Sequence, residues 1–141
     1  MCGRYVSVAK RGRLLEAYRA TAVEPLPGPS YNVAPTQDVT IVIDHADKDT
    51  GRTERELRSA RWGLVPSWSR DPSAGTRMIN ARVETLAERR AFARSYAKRR
   101  CVLPAAGYIE WTPAELVDEQ TGTTKQVKQP YYMRVDCTIV T

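Results

Sequence analysis

The chain has one histidine, one phenylalanine and three cysteines in 141 residues. Cys2, Cys101 and Cys137 are odd in number and form no Cys-x-x-Cys pair. Neither a disulfide framework nor a zinc site is implied, and no metal or cofactor is called for. No stretch approaches the ~20 consecutive apolar residues of a membrane-spanning helix. The N-terminus has no apolar segment of the secretory kind, so a cytoplasmic chain without membrane contact is expected. Acidic residues are also in short supply, 16 against 22 Lys and Arg, leaving a net charge of +6. The excess is mostly arginine, whose planar fork matches phosphate oxygens. A polyanionic partner, nucleic acid first, competes with a merely solvated basic surface. What is present, 42% hydrophobic and 27% charged residues, describes one globular domain able to bury a sizeable core.

The first five residues, Met1-Cys2-Gly3-Arg4-Tyr5, carry the most specific chemistry. If Met1 is removed, Cys2 presents an α-amine and a thiol on adjacent carbons. Their ordinary pKa values, about 7.7–8.0 and about 8.5, leave a useful minority of each nucleophilic at neutral pH. The amine condenses with an aldehyde to an imine, and the thiolate then closes a five-membered thiazolidine. As an ordinary residue, Cys2 would be a small apolar side chain opening a strand.

The remaining segments read in order. Ser7 is placed to cap a helix running to about Ala20, with Leu14, Leu15 and Tyr18 on its apolar face. A Pro/Gly stretch follows, and Tyr31 to Gln37 is then expected to be a stiff extended loop constrained by Pro29 and Pro35. Val39–Asp44 is the clearest strand, His45–Glu56 a surface hairpin loop, and Leu57–Val65 a second strand. His45 sits among Asp44, Asp47 and Asp49 and reads as solvated. Trp62 belongs to the core, whereas Trp68, past Pro66 in a polar loop, is an aromatic free to stack on a base. In Met78–Thr85, alternation predicts a strand with Asn80, Arg82 and Glu84 on one face. Thr85 and Glu88 have capping-box spacing for a basic helix from Leu86 to about Lys98. Cys101–Pro104 reads as a short buried strand with an inert thiol. In the strand Gly107–Trp111, Glu110 lies between Ile109 and Trp111, a setting that suits a general acid. A surface glutamate is the alternative. A polar hairpin excursion spans Thr112–Gln129, and Pro130–Val135 and Cys137–Val140 are the last strand candidates.

The blocks M-C-G-R-Y, Y-N-V-A-P-T-Q, R-W-G-L-V-P-S-W, I-N-A-R-V-E-T, R-R-C-V-L-P-A-A-G-Y-I-E-W and P-Y-Y-M stand in this order. Together they resemble the SRAP family, SOS-response-associated peptidase-like proteins that sense abasic sites in single-stranded DNA. The resemblance implies an α+β fold: a curved, partly closed antiparallel β-sheet or barrel with a few flanking helices, here as a single domain over residues 1–141. It also implies that Met1 is removed and that Cys2 crosslinks the open-chain aldehyde of an abasic site as a thiazolidine, shielding the lesion. Glu110 corresponds to the acid that assists proton transfer, and Asn80 to the amide that orients the abasic sugar. Arg4, Asn32 and Arg82 correspond to groups that hold flanking phosphates or the terminus. Pro66, Ser67 and Trp68 correspond to the loop that stacks on and splays the strand. The implied partner is single-stranded DNA bearing abasic sites, for a nucleoid-associated monomer.

One departure stands against the pattern. The family continues into A-G-L-W and H-R-M-P segments, the latter with a catalytic histidine, and neither occurs in this sequence. A truncated and a naturally shortened member are both open. Three consequences follow as alternatives: slower crosslinking, impaired reversal, or a marginal fold. Two other functions compete with capture. One is a thiol autopeptidase acting on its own leader. The other is a non-catalytic single-stranded DNA-binding remnant.

Overall fold

The structure is a computed structural model, and residues 3–134 are described. Its elements are β1 (Arg4–Ser7), α1 (Arg11–Tyr18), β2 (Thr21–Ala22), β3 (Ser30–Val33), β4 (Asp38–Ala46), β5 (Thr53–Arg61), α2 (Arg90–Lys98), β6 (Gly107–Val117) and β7 (Thr124–Met133). Two 3-10 helices, Pro72–Arg77 and Val83–Thr85, precede α2. The class is α+β, with a curled antiparallel half-barrel and a few helices. Four strands lie in the order β3-β1-β6-β7 and three in the order β2-β5-β4. Every pairing is antiparallel except that of β2 with β5.

The core follows from the β-branched run. Val39 and Val42 are buried on β4, and Leu57 of β5 is fully enclosed. Leu14, the one buried residue of α1, packs on Val42 and Leu57. A second cluster joins Tyr5, Val33 and Val39, with Trp62 packed against it. The short first strand is therefore central in its sheet, held by β3 on one edge and β6 on the other.

Several local expectations are corrected. Ser7 pairs with Ser30 in the ladder and caps nothing. The first helix starts at Arg11 after Lys10, with no side-chain cap, and closes on Arg19 in the left-handed region at φ 49°. Half of the expected Tyr31–Gln37 loop is strand β3, because β1 offers it an edge; only Ala34–Gln37 turns, with Thr36 at φ 73°. Strands β4 and β5 extend through the polar residues after Asp44 and before Leu57, in register from Asp38↔Arg61 to Ala46↔Thr53. Cross-strand pairs such as Arg55–Asp44, at 2.8 Å, keep these polar positions in the ladder. Met78–Thr85 is not a strand. Its backbone bonds serve loop contacts, and Val83–Thr85 forms a 3-10 helix, so Thr85 and Glu88 make no capping box and α2 begins at Arg90. Cys101, Val102 and Leu103 are exposed; Val102 alone bridges to Val42. The Cys101 thiol is thus not a core group, although partial desolvation raises its pKa.

The hairpin of β6 and β7 is longer than expected. Its ladder runs from Tyr108↔Met133 to Val117↔Thr124 and absorbs most of the polar excursion. Only Gly107–Ile109 of β6 pair with β1, so the rest is a two-stranded ribbon. Trp111, Leu116, Val117 and Tyr131 on it are exposed, as are Tyr132 and Met133 beside it. The Cys137–Val140 strand expectation lies outside the described residues. If Leu57 is the keystone of the first cluster, Leu57→Ala should lower unfolding free energy by about 2–5 kcal/mol in chemical denaturation.

Candidate nucleic-acid interface and reactive terminus

The N-terminal strand places the first part of the site. Arg4 pairs with Ile109 and Tyr5 with Tyr108. Ahead of Arg4, Gly3 comes close to Trp111: a Cβ built on it would lie 3.9 Å from Trp111 Cζ3. Gly3 therefore lies beside Trp111, the residue that follows Glu110 on β6. Glu110 is half-buried there, opposite Tyr131 of β7. Arg4 Nη1 donates to Asn32 Oδ1 at 3.1 Å, which joins two of the expected residues across β1 and β3. Cys2 lies outside the described residues.

The second part is built from loops. Pro66 and Ser69 close a tight turn through Ser69 N–H to Pro66 C=O at 2.9 Å. Pro66 is buried, while Ser67 and Trp68 are the exposed central residues. Trp68 is half exposed, and the Arg90 guanidinium lies over its ring, 4.8 Å from the centroid. This is a cation–π contact that fixes the ring from one side.

Two glycines clasp the loop that carries Trp68 to the one that leads to Asn80. Gly63 adopts φ 133°, and a Cβ there would meet the Gly75 carbonyl oxygen at 2.5 Å. A Cβ on Gly75 would meet the Gly63 oxygen at 2.9 Å. Only residues without side chains allow this backbone approach. Leu64 N–H donates to Met78 C=O at 3.1 Å, and Trp62 Nε1–H to Ile79 C=O at 2.9 Å. Asn80 is the next residue, exposed, and Arg82 sits exposed at the N-cap of the Val83–Thr85 turn. Trp62 in turn meets Tyr5 edge-on, centroids 5.5 Å apart. A continuous path of contacts thus links Arg4's strand to Asn80's loop.

Asp71 organises the intervening 3-10 helix. Its carboxylate accepts from Ser73 N–H at 2.8 Å and from the Ser73 hydroxyl. These bonds, side-chain first, hold its pKa below the ordinary carboxylate value. The excess charge falls in the same region. Residues 62–104 contain nine Lys and Arg against three Asp and Glu, while the rest of the chain is balanced at thirteen of each. The site therefore contains Gly63 and Gly75, whose mutual approach the sequence reading did not anticipate, and Arg90, one of the basic residues of the expected second helix, whose contact with Trp68 it did not anticipate. A glycine between a core tryptophan and a proline was the available signal for Gly63. Among the described residues no group of three or more His, Cys, Asp or Glu is arranged to hold a metal, and no helix is long and apolar enough to cross a membrane.

A curled antiparallel sheet, a basic loop region and an N-terminal strand running to a half-buried glutamate define the class. The family model described as SOS response associated peptidase (SRAP) matches residues 1–139. The chain belongs to this family. It is 33% identical over 130 residues to the abasic site processing protein YoqW of Bacillus subtilis, covering 91% of this chain and 54% of that protein. It is 34% identical over 111 residues to the abasic site processing protein HMCES of Xenopus tropicalis, covering 74% of this chain and 30% of the relative. A crystal structure of a Bacteroides thetaiotaomicron protein shares the fold, with TM-score 0.67 and 24% identity over 96% of this chain and 55% of that one. The chain spans about half the length of the Bacillus relative and of this crystallised protein.

Two outcomes check the loop construction. Gly63→Ala must resolve both a left-handed backbone and a clash with Gly75; it should destabilise by at least about 1–3 kcal/mol and increase amide exchange at Leu64. Asp71, with its folded pKa depressed, contributes stability above its unfolded pKa and loses it as pH falls through the lower folded value. The Ser73 amide resonance should therefore follow an Asp71 titration centred below the ordinary value, and Asp71→Ala should abolish that shift.

Proposed function

We propose that the chain captures abasic sites in single-stranded DNA covalently, through Cys2 after removal of Met1. The observation that carries this reading is the course of β1. Gly3 lies against Trp111 next to Glu110, and Cys2 is one residue, about 3.8 Å between Cα atoms, further along. An N-terminal aminothiol attached there would have the half-buried Glu110, the residue before Trp111, as the nearby candidate acid. Family membership and the abasic-site-processing names of the relatives point to the same lesion.

The chemistry balances without a cofactor. An abasic deoxyribose opens to an aldehyde. The Cys2 amine adds to its carbon, and the former carbonyl oxygen leaves as water to give an imine. The thiolate adds to the imine carbon, the nitrogen takes up the thiol proton, and the five-membered ring closes. Glu110 serves as the proton donor to the departing oxygen and as the acceptor from the attacking amine, the role for which a positioned carboxyl group is suited. Asn80 orients the sugar by its amide. Arg4 with Asn32, and Arg82, hold phosphates beside the lesion as charge-assisted contacts that carry no sequence information. Trp68 on its turn stacks on a neighbouring base and keeps the strand splayed.

Intact-mass analysis tests this reading. With a single-stranded oligonucleotide bearing one abasic site, the protein without Met1 should gain the oligonucleotide mass less one water. Cys2→Ala keeps the amine and loses the thiol. It should yield no stable adduct, yet borohydride should still trap some imine. Glu110→Gln should slow capture by about 100-fold or more. A stable adduct at full yield from Cys2→Ala would refute the assignment.

A further inference from the structure

We propose that one face of α2, bearing Arg90, Arg94 and Lys98, is a phosphate track for the single strand as it leaves the Trp68 platform. In this arrangement Arg90 is also the positioning residue for the Trp68 ring. The inference takes its ligand, single-stranded DNA, from the reading above and adds where the flanking strand runs.

Four observations carry it. First, the whole charge excess of the chain lies between residues 62 and 104, and α2 itself, Arg-Ala-Phe-Ala-Arg-Ser-Tyr-Ala-Lys, contains no acid. Second, positions 90, 94 and 98 are separated by one turn each, so they stack on one face with a rise of about 6 Å per step. Ala91, Phe92, Ala93 and Ser95 are half-buried, while the three cations are exposed. Third, the ion pairs Arg11–Glu24, Arg55–Asp44 and Arg58–Glu56 lie elsewhere. Among the described residues no carboxylate pairs with Arg90, Arg94 or Lys98. Fourth, the row begins at the stacking residue itself, because the Arg90 guanidinium covers one side of Trp68. A guanidinium stacked on a ring keeps its N–H edge directed outward, where it can still meet a phosphate. A base on the open surface of Trp68 and a phosphate on Arg90 are therefore adjacent stations. Arg94 and Lys98 continue the line.

The test uses the Cys2→Ala chain and an undamaged single-stranded 12-mer, so that non-covalent binding is read without capture. Affinity is followed by anisotropy across a salt series. Each phosphate contact removed from a single strand should flatten the log–log salt slope by about 0.7. Arg94→Ala with Lys98→Ala should therefore flatten it by about 1.4. The control, Arg52→Ala with Lys125→Ala, removes the same charge from the balanced part of the chain and should leave the slope unchanged. Trp68→Ala should weaken binding about 5- to 100-fold, and adding Arg90→Ala to it should cost only the one phosphate contact. In capture assays with unaltered Cys2, the Arg94/Lys98 variant should need more DNA for half-maximal rate but reach the same limiting rate. Equal losses in the control pair, or an unchanged slope in the Arg94/Lys98 pair, would overturn the track while leaving capture standing. Absence of single-strand binding by the starting chain would overturn both.

Discussion

The edge-on contact of Tyr5 with Trp62 is the joint on which the candidate site depends. Aromatic pairs of this geometry contribute about 0.5–1.5 kcal/mol beyond their buried area, a modest figure. Its importance is positional. Tyr5 belongs to the strand that delivers the N-terminus, and Trp62 to the loop that leads to Trp68. Trp62 is also fixed by its backbone, donating to Gln37 C=O at 2.9 Å and accepting from Thr36 N–H at 2.8 Å. Its indole N–H then anchors Ile79. One residue, through its backbone and its indole together, thus ties the sheet, the β3–β4 turn and two surface loops to each other.

Loops usually gain mobility from their position at the surface. Here the two basic loops are stiffened by a backbone-to-backbone approach at Gly63 and Gly75 and by the carboxylate cap of Asp71. A ring held in place in this way would lose little freedom on contact with a ligand, because wandering side chains spend binding energy on being ordered. Arg90 adds a further restraint from the helix side. The result is an exposed aromatic on a stiffened loop, covered on one side by Arg90 without being buried.

Much of the architecture was legible in the sequence, and the exceptions have physical causes. The β-branched run at Val39–Asp44 and the Gly107–Trp111 segment formed strands because their side chains fit a half-buried pleat. The α+β sheet implied by the family blocks is what the chain adopts. Alternation failed at Met78–Thr85. There the polar and apolar residues alternate as in a strand, but the carbonyls of Met78 and Ile79 are taken by Leu64 and Trp62. The Thr85–Glu88 spacing failed because the Thr85 carbonyl, not its side chain, starts the turn by accepting from Glu88 and Arg89. The expected phosphate and stacking residues Arg4, Asn32, Ser67, Trp68 and Arg82 fall on strand and loop surfaces, and the pairing of Trp68 with Arg90 could not be read from residues 22 positions apart.

The central place of β1 has a bearing on how the protein is made. Its partner on one side, β3, follows closely in the chain, but its partner on the other, Gly107–Ile109, comes more than a hundred positions later. At ribosomal speeds of about 5–20 residues per second, that gap lasts about 5–20 s. Until then β1 has only the β3 edge to pair with. Arrival of β6 then closes the second edge and brings Glu110 alongside. The pairing of the first strand is thus completed late, after most of the chain has been synthesised.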